Sequence, residues 1–454
     1  LKIVIVGAGE VGYHIASRLA FENKDVVVVD KNADALRRVS ENTDVQTITG
    51  SGSSPSVLEE AGIRKAEILL AVTNQDETNL VACLVADMLS PTTKKIARIR
   101  GADFDQYHKT FQSQPPHIDT VINPEIEVVK TIERLMRAPG AADVGEFAQG
   151  RIKFVGVYLD RNARLAGVRL SELPEKIGQR RLLIAVIVRE EQVIIPTGKD
   201  KLLPGDLIYF ICEENQMSEI MSIFEKRAKP VKRVLIVGGG RIGYRLAVRL
   251  ETQSINCKII ERSASRCAEL AEKLDKTVVL RGDGTDQNLL SEENVGDIDV
   301  VITLTNDEET NILTSLLATK MGAAKAIIKI NKFSYFPLMK AIGIEQVVSP
   351  RLSAINTILQ HIRRGKVLSA VALKGEQAEV MEVVALETSD IVGTPLRRIS
   401  FPKGAIVAGI VRGEQIIIPT GDSIVEPNDH IIVFAQRHAI GGIEKLMAVK
   451  LEYF

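Results

Sequence analysis

The chain carries one long pattern twice. Lys2-Ile-Val-Ile-Val-Gly-Ala-Gly-Glu-Val-Gly12 recurs as Arg233-Val-Leu-Ile-Val-Gly-Gly-Gly-Arg-Ile-Gly243, so that Gly7 maps onto Gly238 and Asp30 onto Glu261, 231 residues later. Thr73-Asn-Gln-Asp-Glu-Thr-Asn79 returns as Thr305-Asn-Asp-Glu-Glu-Thr-Asn311 at an offset of 232. Late in each half, Val193-Ile-Ile-Pro-Thr-Gly198 matches Ile416-Ile-Ile-Pro-Thr-Gly421, and Pro204-Gly-Asp206 matches Pro427-Asn-Asp429, both 223 residues apart. Solenoid repeats run about 20 to 50 residues, so a period this long marks duplication of a whole module. Each module changes character midway, which predicts four domains in the order A-B-A′-B′. Their expected spans are 1–138, 139–228, 229–366 and 367–454. Ala228-Lys-Pro-Val-Lys232, charged and proline-marked, reads as the joint between modules, with a second joint near Ala138-Pro-Gly140.

The A parts alternate β-branched runs with helical patterns. In the first, Lys2-Val6, Asp25-Val29, Val45-Thr49, Ile68-Thr73 and Lys95-Ile99 are strand-like, and Val11 to Phe21 and Glu77 to Met88 are helical. This rhythm predicts a parallel, Rossmann-like sheet with right-handed crossovers. Thr120 to Ala138 offers one more strand and a helix with an apolar stripe, which either packs on its own domain or, at the domain's edge, serves as a dimer surface. The B parts read as small mixed α/β domains, with strands at Arg151-Leu159, Leu182-Arg189, Gln192-Ile195 and Asp206-Ile211 and a short helix from Gln216 to Lys226.

Lys plus Arg and Asp plus Glu both number 58, so no global positive field draws nucleic acid or an anionic membrane. The longest apolar run, Leu182 to Val188, is far short of the about 20 residues that span a bilayer. The first residues enter a strand-like run without the pattern of a secretory leader, and a cytoplasmic location is the expectation. Cys83, Cys212, Cys257 and Cys267 show no metal or redox spacing and read as structural thiols.

Gly7-Ala-Gly-Glu-Val-Gly12 follows a strand and opens a helix, with Asp30 closing the next strand. In that context the first glycine permits the tight turn, the second admits a pyrophosphate, and the third lets helix and sheet pack closely. Asp30 and Glu261 suit a ribose 2′-hydroxyl and would repel a 2′-phosphate, which disfavours NADP. Thr73, Asn74 and Asp76, with copies taken as Thr305, Asn306 and Asp307, follow the fourth strand and should face the same crevice. Asp76-Glu77 and Asp307-Glu308 can equally cap the next helix, a role compatible with facing the crevice. Arg98 and Arg100 at the fifth strand become Lys329 and Asn331. Glu10 becomes Arg241, and Ser51 becomes Asp283, so ligand preference is expected to differ between halves. A dinucleotide enzyme needs an acid/base group beside the cofactor. The six histidines are scattered and not duplicated, and no catalytic motif occurs. This predicts a sensor rather than an enzyme, with an NAD-dependent oxidoreductase of unrecognised active site as the alternative.

These motifs together resemble the KTN/RCK modules that regulate potassium conductance, and the tandem arrangement over residues 1 to 454 is similar to the peripheral regulatory subunits of bacterial Trk potassium uptake systems. The resemblance implies a cytosolic homotetrameric ring, peripheral on the inner face of the membrane through an integral potassium-translocating partner, with NAD(H) and ATP or ADP as ligands that set the partner's open probability. The nucleotide-binding set expected in the first module is Gly7, Ala8, Gly9, Glu10, Val11, Gly12, Asp30, Lys31, Ser51, Thr73, Asn74, Arg98 and Arg100. In the second it is Gly238, Gly239, Gly240, Arg241, Ile242, Gly243, Glu261, Arg262, Asp283, Thr305, Asn306, Asp307 and Lys329. Ser51 departs from the Gly-Asp pair that Gly282-Asp283 preserves.

Overall fold

A computed structural model of the chain describes all residues except 139, 179–181, 191, 227–229, 363–366, 374–376 and 448–454. Pro139 in the inner joint, residues 228 and 229 of the joint between modules, and the end of the basic segment His361 to Lys366 lie outside the described residues. The described strands form four sheets. The first contains β1 (Lys2–Val6), β2 (Asp25–Asp30), β3 (Gln46–Thr49), β4 (Ile68–Ala71), β5 (Lys94–Arg98) and β6 (Thr120–Ile122), in the order β3-β2-β1-β4-β5-β6 with every pair parallel. The second contains β7 (Asp143–Phe147), β8 (Ile152–Tyr158), β9 (Leu182–Arg189), β10 (Gln192–Ile194) and β11 (Leu207–Glu213), in the antiparallel order β10-β9-β11-β8-β7.

The third sheet repeats the first. It runs β14-β13-β12-β15-β16-β17 through β12 (Arg233–Val237), β13 (Asn256–Glu261), β14 (Val278–Arg281), β15 (Val300–Thr303), β16 (Ala326–Lys329) and β17 (Gln346–Val348). The fourth repeats the second as β18-β19-β22-β20-β21, through β18 (Val367–Leu373), β19 (Ala378–Val384), β20 (Ala405–Arg412), β21 (Gln415–Ile417) and β22 (His430–Gln436). The fold class is thus two Rossmann-like parallel sheets, each followed by a small sheet, in tandem. The small sheets are antiparallel, and β7 and the short helix Leu173–Ile177 are additions that the sequence patterns did not signal.

Hydrophobic burial explains the central strands. Ile3, Val4, Ile5 and Val27 are fully buried, as are Leu235, Ile236 and Val301 in the copy. Parallel strands covered on both faces need such unbroken apolar runs. In the small domains the turn before β11 holds Gly205 at φ +86°, and its copy places Asn428 at φ +68°. Asparagine tolerates this left-handed geometry better than other side chains, which accounts for the change from Pro-Gly-Asp to Pro-Asn-Asp.

The chain divides into two compact units, Leu1–Glu127 with Arg351–Arg364, and Val128–Pro350 with Gly365–Phe454. Most of the helix Pro124–Arg137 therefore belongs with the second unit, and most of Pro350–Ile362 with the first. In the second unit Val128, Ile132 and Leu135 are buried in one core with Leu246, Leu250 and Val234. Glu133, itself buried, receives hydrogen bonds from Arg249 (3.3 Å) and Gln253 (2.5 Å). Of the two readings of the Pro124–Arg137 stripe, the dimer surface is corrected: the stripe packs within the chain, against residues of the second repeat and not of its own domain. In the first unit the carbonyl of His361 accepts from Lys94 Nζ at 2.9 Å.

Candidate functional site

Each glycine loop joins the first strand of its parallel sheet to a helix, β1 to Glu10–Phe21 and β12 to Arg241–Thr252. Gly7 has φ +114°, and a side chain there would meet the Thr73 backbone at 2.9 Å. At Gly12 a β-carbon would lie 1.8 Å from the Gly7 carbonyl oxygen. Gly9, in contrast, has open space around its missing side chain, so the backbone there can be approached closely. The second loop behaves alike at Gly238, Gly243 and Gly240. Helix Glu10–Phe21 begins with no side chain capping its first turn, and a helix start with free N–H groups attracts anions.

The acids at the ends of β2 and β13 brace these loops. Asp30 Oδ2 accepts from Ala8 N at 2.6 Å and Oδ1 from Asn32 N at 2.8 Å. Glu261 repeats this with Gly239 N (2.9 Å) and Ser263 N (2.8 Å). A carboxylate has about four acceptor positions, so both retain capacity for a ribose hydroxyl.

Opposite the loop, Asn79 is fully buried and uses its whole amide. Its Oδ1 accepts from Thr73 N (2.9 Å) and Thr73 Oγ1 (2.7 Å), and its Nδ2 donates to the carbonyls of Thr73 (3.1 Å) and Arg98 (2.7 Å). Asn311 makes the same four bonds to Thr305 and Lys329. Asp76 Oδ2 accepts from Arg100 N (2.9 Å) and Gly101 N (2.8 Å). Its counterpart in this role is Glu308, which accepts from Asn331 N at 2.9 Å, whereas Asp307 caps the following helix by accepting from Glu309 N. The pairing of Asp76 with Asp307 is therefore corrected by one position. Capping is the role of Asp307 alone, since no side chain caps the helix Asp76–Leu89.

A cavity of about 580 Å³ lies over the first loop. Of the expected residues, Gly7, Gly9, Glu10, Val11, Asp30, Lys31, Thr73, Asn74, Arg98 and Arg100 line it, while Ala8, Gly12 and Ser51 do not. Ser51 instead pairs with Ser53 Oγ at 2.7 Å. Arg98 donates to the Thr73 carbonyl at 2.6 Å, and Arg100 Nη2 to that of Asn74. Arg100 Nε and Asp76 Oδ1 face each other at 3.8 Å, and both lack a hydrogen-bond partner. Burial, then the charge of Arg100, push the Arg98 guanidinium down to about 10, against the pull of Asp76 and Glu125. It stays cationic at neutral pH.

Two cations escaped the sequence reading. Arg38 Nη1 and Arg351 Nη1 hold the two oxygens of Glu10 at 2.7 and 3.1 Å, and Arg351 lines the cavity. Burial disfavours the Glu10 carboxylate, but the Arg38 hydrogen bond and the charges of Arg351, Arg38 and His14 outweigh it and hold the pKa below its usual value. The two arginines thus offset locally the repulsion that a carboxylate in this loop would exert on a phosphate. In the second half both charges are reversed, with Arg241 at the position of Glu10 and Glu269 at that of Arg38.

The second cavity is smaller, about 310 Å³. Gly238, Gly240, Glu261, Arg262, Thr305, Asn306 and Asp307 line it; Gly239, Arg241, Ile242, Gly243, Asp283 and Lys329 do not. Arg262 Nη2 donates to Asp283 Oδ2 at 2.6 Å, and Lys329 Nζ to Asn306 Oδ1 at 3.3 Å. Lys31, Arg98, Arg100 and Arg351 face the first cavity against the carboxylates Glu10 and Asp30. Among the described residues, Arg262 is the one cation that faces the second, against Glu261 and Asp307. Among the described residues, no group of three or more His, Cys, Asp or Glu could hold a metal, and no helix is long and apolar enough to cross a membrane. Cys83, Cys212 and Cys257 are buried, and burial is the main cause that pushes each thiol up to about 12; Cys267 is only half-buried.

Comparison with known proteins fits this geometry. The TrkA-N domain family matches residues 3–124 and 234–350, and the TrkA-C domain family matches residues 154–225 and 380–448. The chain is 39% identical to the Trk system potassium uptake protein TrkA of Halomonas elongata, with 100% of both chains covered. It is 36% identical to TrkA homolog 1 of Methanosarcina mazei, covering 98% of this chain and 99% of that one. Among solved structures, the GsuK RCK domain superposes with a TM-score of 0.60 at 18% identity, covering 98% of this chain and 94% of that chain. The GsuK channel bound to NAD gives 0.60 at 19% identity, covering 98% and 78%. Identities this low speak to the fold alone.

Proposed function

The chain belongs to the TrkA family of Trk-system potassium uptake proteins, and from that membership we propose that it senses adenine nucleotides for a membrane potassium transporter. In this reading NAD(H) and ATP or ADP bind at the two glycine loops and set the open probability of an integral-membrane, potassium-translocating partner. The observation that carries it is the first cavity, where an open backbone at Gly9, an anion-attracting helix end, the carboxylate of Asp30 and four cations converge. Those groups can bind and orient a nucleotide. Two proteins that share the fold, the GsuK channel bound to NAD and GsuK bound to ADP, support the ligand class.

The residues proposed to hold nucleotide are those of the expected set that line the two cavities, with Arg351 added to the first site. The four domains keep the proposed spans 1–138, 139–228, 229–366 and 367–454. The proposed assembly is a homotetramer at the inner face of the membrane, held there by the partner. Exposed Val81, Leu84 and Met88 support self-association, because they form one apolar stripe on the helix Asp76–Leu89.

Calorimetry on the full chain with NADH, NADPH, ATP and ADP tests the ligand class. NADH is expected to bind more tightly than NADPH, and the reverse order would remove the role given to Asp30. Rubidium flux through the reconstituted partner, with and without the chain, tests gating. Flux that ignores both the chain and the nucleotide would refute the regulatory reading.

A further inference from the structure

The best-placed candidate beyond the expected site is the ion-pair cluster Arg38–Glu10–Arg351. Glu10 sits in the first turn of its helix, where the helix dipole favours a negative charge, and its carboxylate is held by Arg38 and Arg351 and does not cap the backbone N–H groups. One of the two arginines on it, Arg351, comes from 341 residues downstream, in the first turn of Pro350–Ile362. The pair is half-buried, with Arg351 30% and Glu10 35% exposed, so both side chains can reorient without unpacking a core. The second cavity has no equivalent. At the matching helix start, Pro124-Glu125 stands where Pro350-Arg351 does, and no residue of Pro124–Arg137 lines that cavity.

A terminal phosphate brought to the first loop meets Glu10 as a rival for the same guanidinium. A phosphate offers more charge and more acceptor oxygens than a carboxylate, in a geometry that a guanidinium fork matches. We propose that Arg351 reads the terminal phosphate charge of a nucleotide in the first cavity, and that Glu10 is the internal anion it leaves when that nucleotide binds. The assignment rests on the nucleotide reading of this cavity. It makes selectivity among AMP, ADP and ATP depend on a residue outside the first module's own sequence. The helix that carries Arg351 follows β17 in the chain.

Titration calorimetry of the full chain with AMP, ADP and ATP tests this. Arg351→Ala should lower ATP affinity about tenfold, the scale of one lost charge-assisted contact, while AMP changes little. Glu10→Gln, which removes the rival anion and keeps the side-chain shape, should tighten ATP severalfold and leave AMP near its original affinity. An unchanged ratio of ATP to AMP affinity in Arg351→Ala would overturn the assignment while leaving nucleotide binding intact. If that variant does not fold, Glu10→Gln decides alone, since ATP binding that is unchanged or weaker contradicts the rivalry. A wild-type chain that binds none of the three overturns the nucleotide reading and this assignment together.

Discussion

The side-chain amide of Asn79 donates a 2.7 Å hydrogen bond to the carbonyl of Arg98, and so ties the start of one helix to the end of β5 across the cavity floor. With its bonds to Thr73 it satisfies two donors and two acceptors at a fully buried position. Asn79→Asp keeps the shape but removes the donor, so two carbonyls then face a carboxylate. The expected loss is about 2–4 kcal/mol, similar to that of Asn79→Ala, because buried groups left without partners are costly. Thermal unfolding is the check, and an Asn79→Asp chain as stable as wild type contradicts the network.

Asp206 is almost completely buried and takes both arms of the Arg189 fork at 2.8 Å, while also accepting from Leu203 N at 2.7 Å. Arg412 and Asp429 repeat the arrangement. Arg189→Ala should destabilise by about 3–5 kcal/mol, because it strands a buried carboxylate. Arg189→Ala combined with Asp206→Ala should cost less than the arginine change alone. A double mutant worse than the single would show that the ion pair stabilises on its own account.

Asp283 is held down to about 2, first by the Arg262 hydrogen bond and then by the Thr285 N–H, although its partial burial pushes the other way. Its ordinary value is 3.8, so this stabilisation is fully present above that pH and is lost as pH falls towards about 2. Both side chains are more than one-third exposed, which makes the contribution small and screened by salt. Asp283→Asn should flatten the acid limb of the unfolding midpoint between those pH values at low salt. An identical limb in the variant would rule out the pair as its source.

Arg100 lines the first cavity, and in the second half its place is taken by Asn331. Its Nε lacks a hydrogen-bond partner. Arg100→Ala should weaken ATP more than ADP or NADH, by about tenfold, since a guanidinium at the strand end offers its fork to terminal phosphates. Equal weakening of all three nucleotides would mean that it shapes the cavity without reading charge.

Patterns whose cause is local were legible in the sequence. The glycine loops, the order of strand and helix, and the acids ending β2 and β13 all follow from neighbours within about thirty residues. Asn79 was visible as the last residue of a repeated motif, but its role depends on reaching the carbonyl of Arg98, which spacing alone does not reveal. The misplacement of Asp307 arose because Gln75 and Asp76 align with two adjacent acids, and only the backbone N–H groups of Asn331 and Lys332 distinguish them. Arg351 was beyond reach, since no periodicity connects it to Glu10. The stripe of Pro124–Arg137 was read correctly as apolar, yet an amphipathic pattern does not name the surface that covers it.

That stripe has a consequence for how a duplicated chain comes to exist. Its cover includes Leu246 and Leu250, on a helix of the other copy of the repeat. A half-length ancestor would own the helix without its socket and could shelter it only in a sister molecule. Joining two such halves end to end replaces dependence on concentration with a tether. Once tethered, each half is free to lose symmetry, and the exchange of Glu10 and Arg38 for Arg241 and Glu269 records such divergence. Severing the chain within residues 227–232 should therefore leave two fragments that still copurify, each carrying a helix that the other completes.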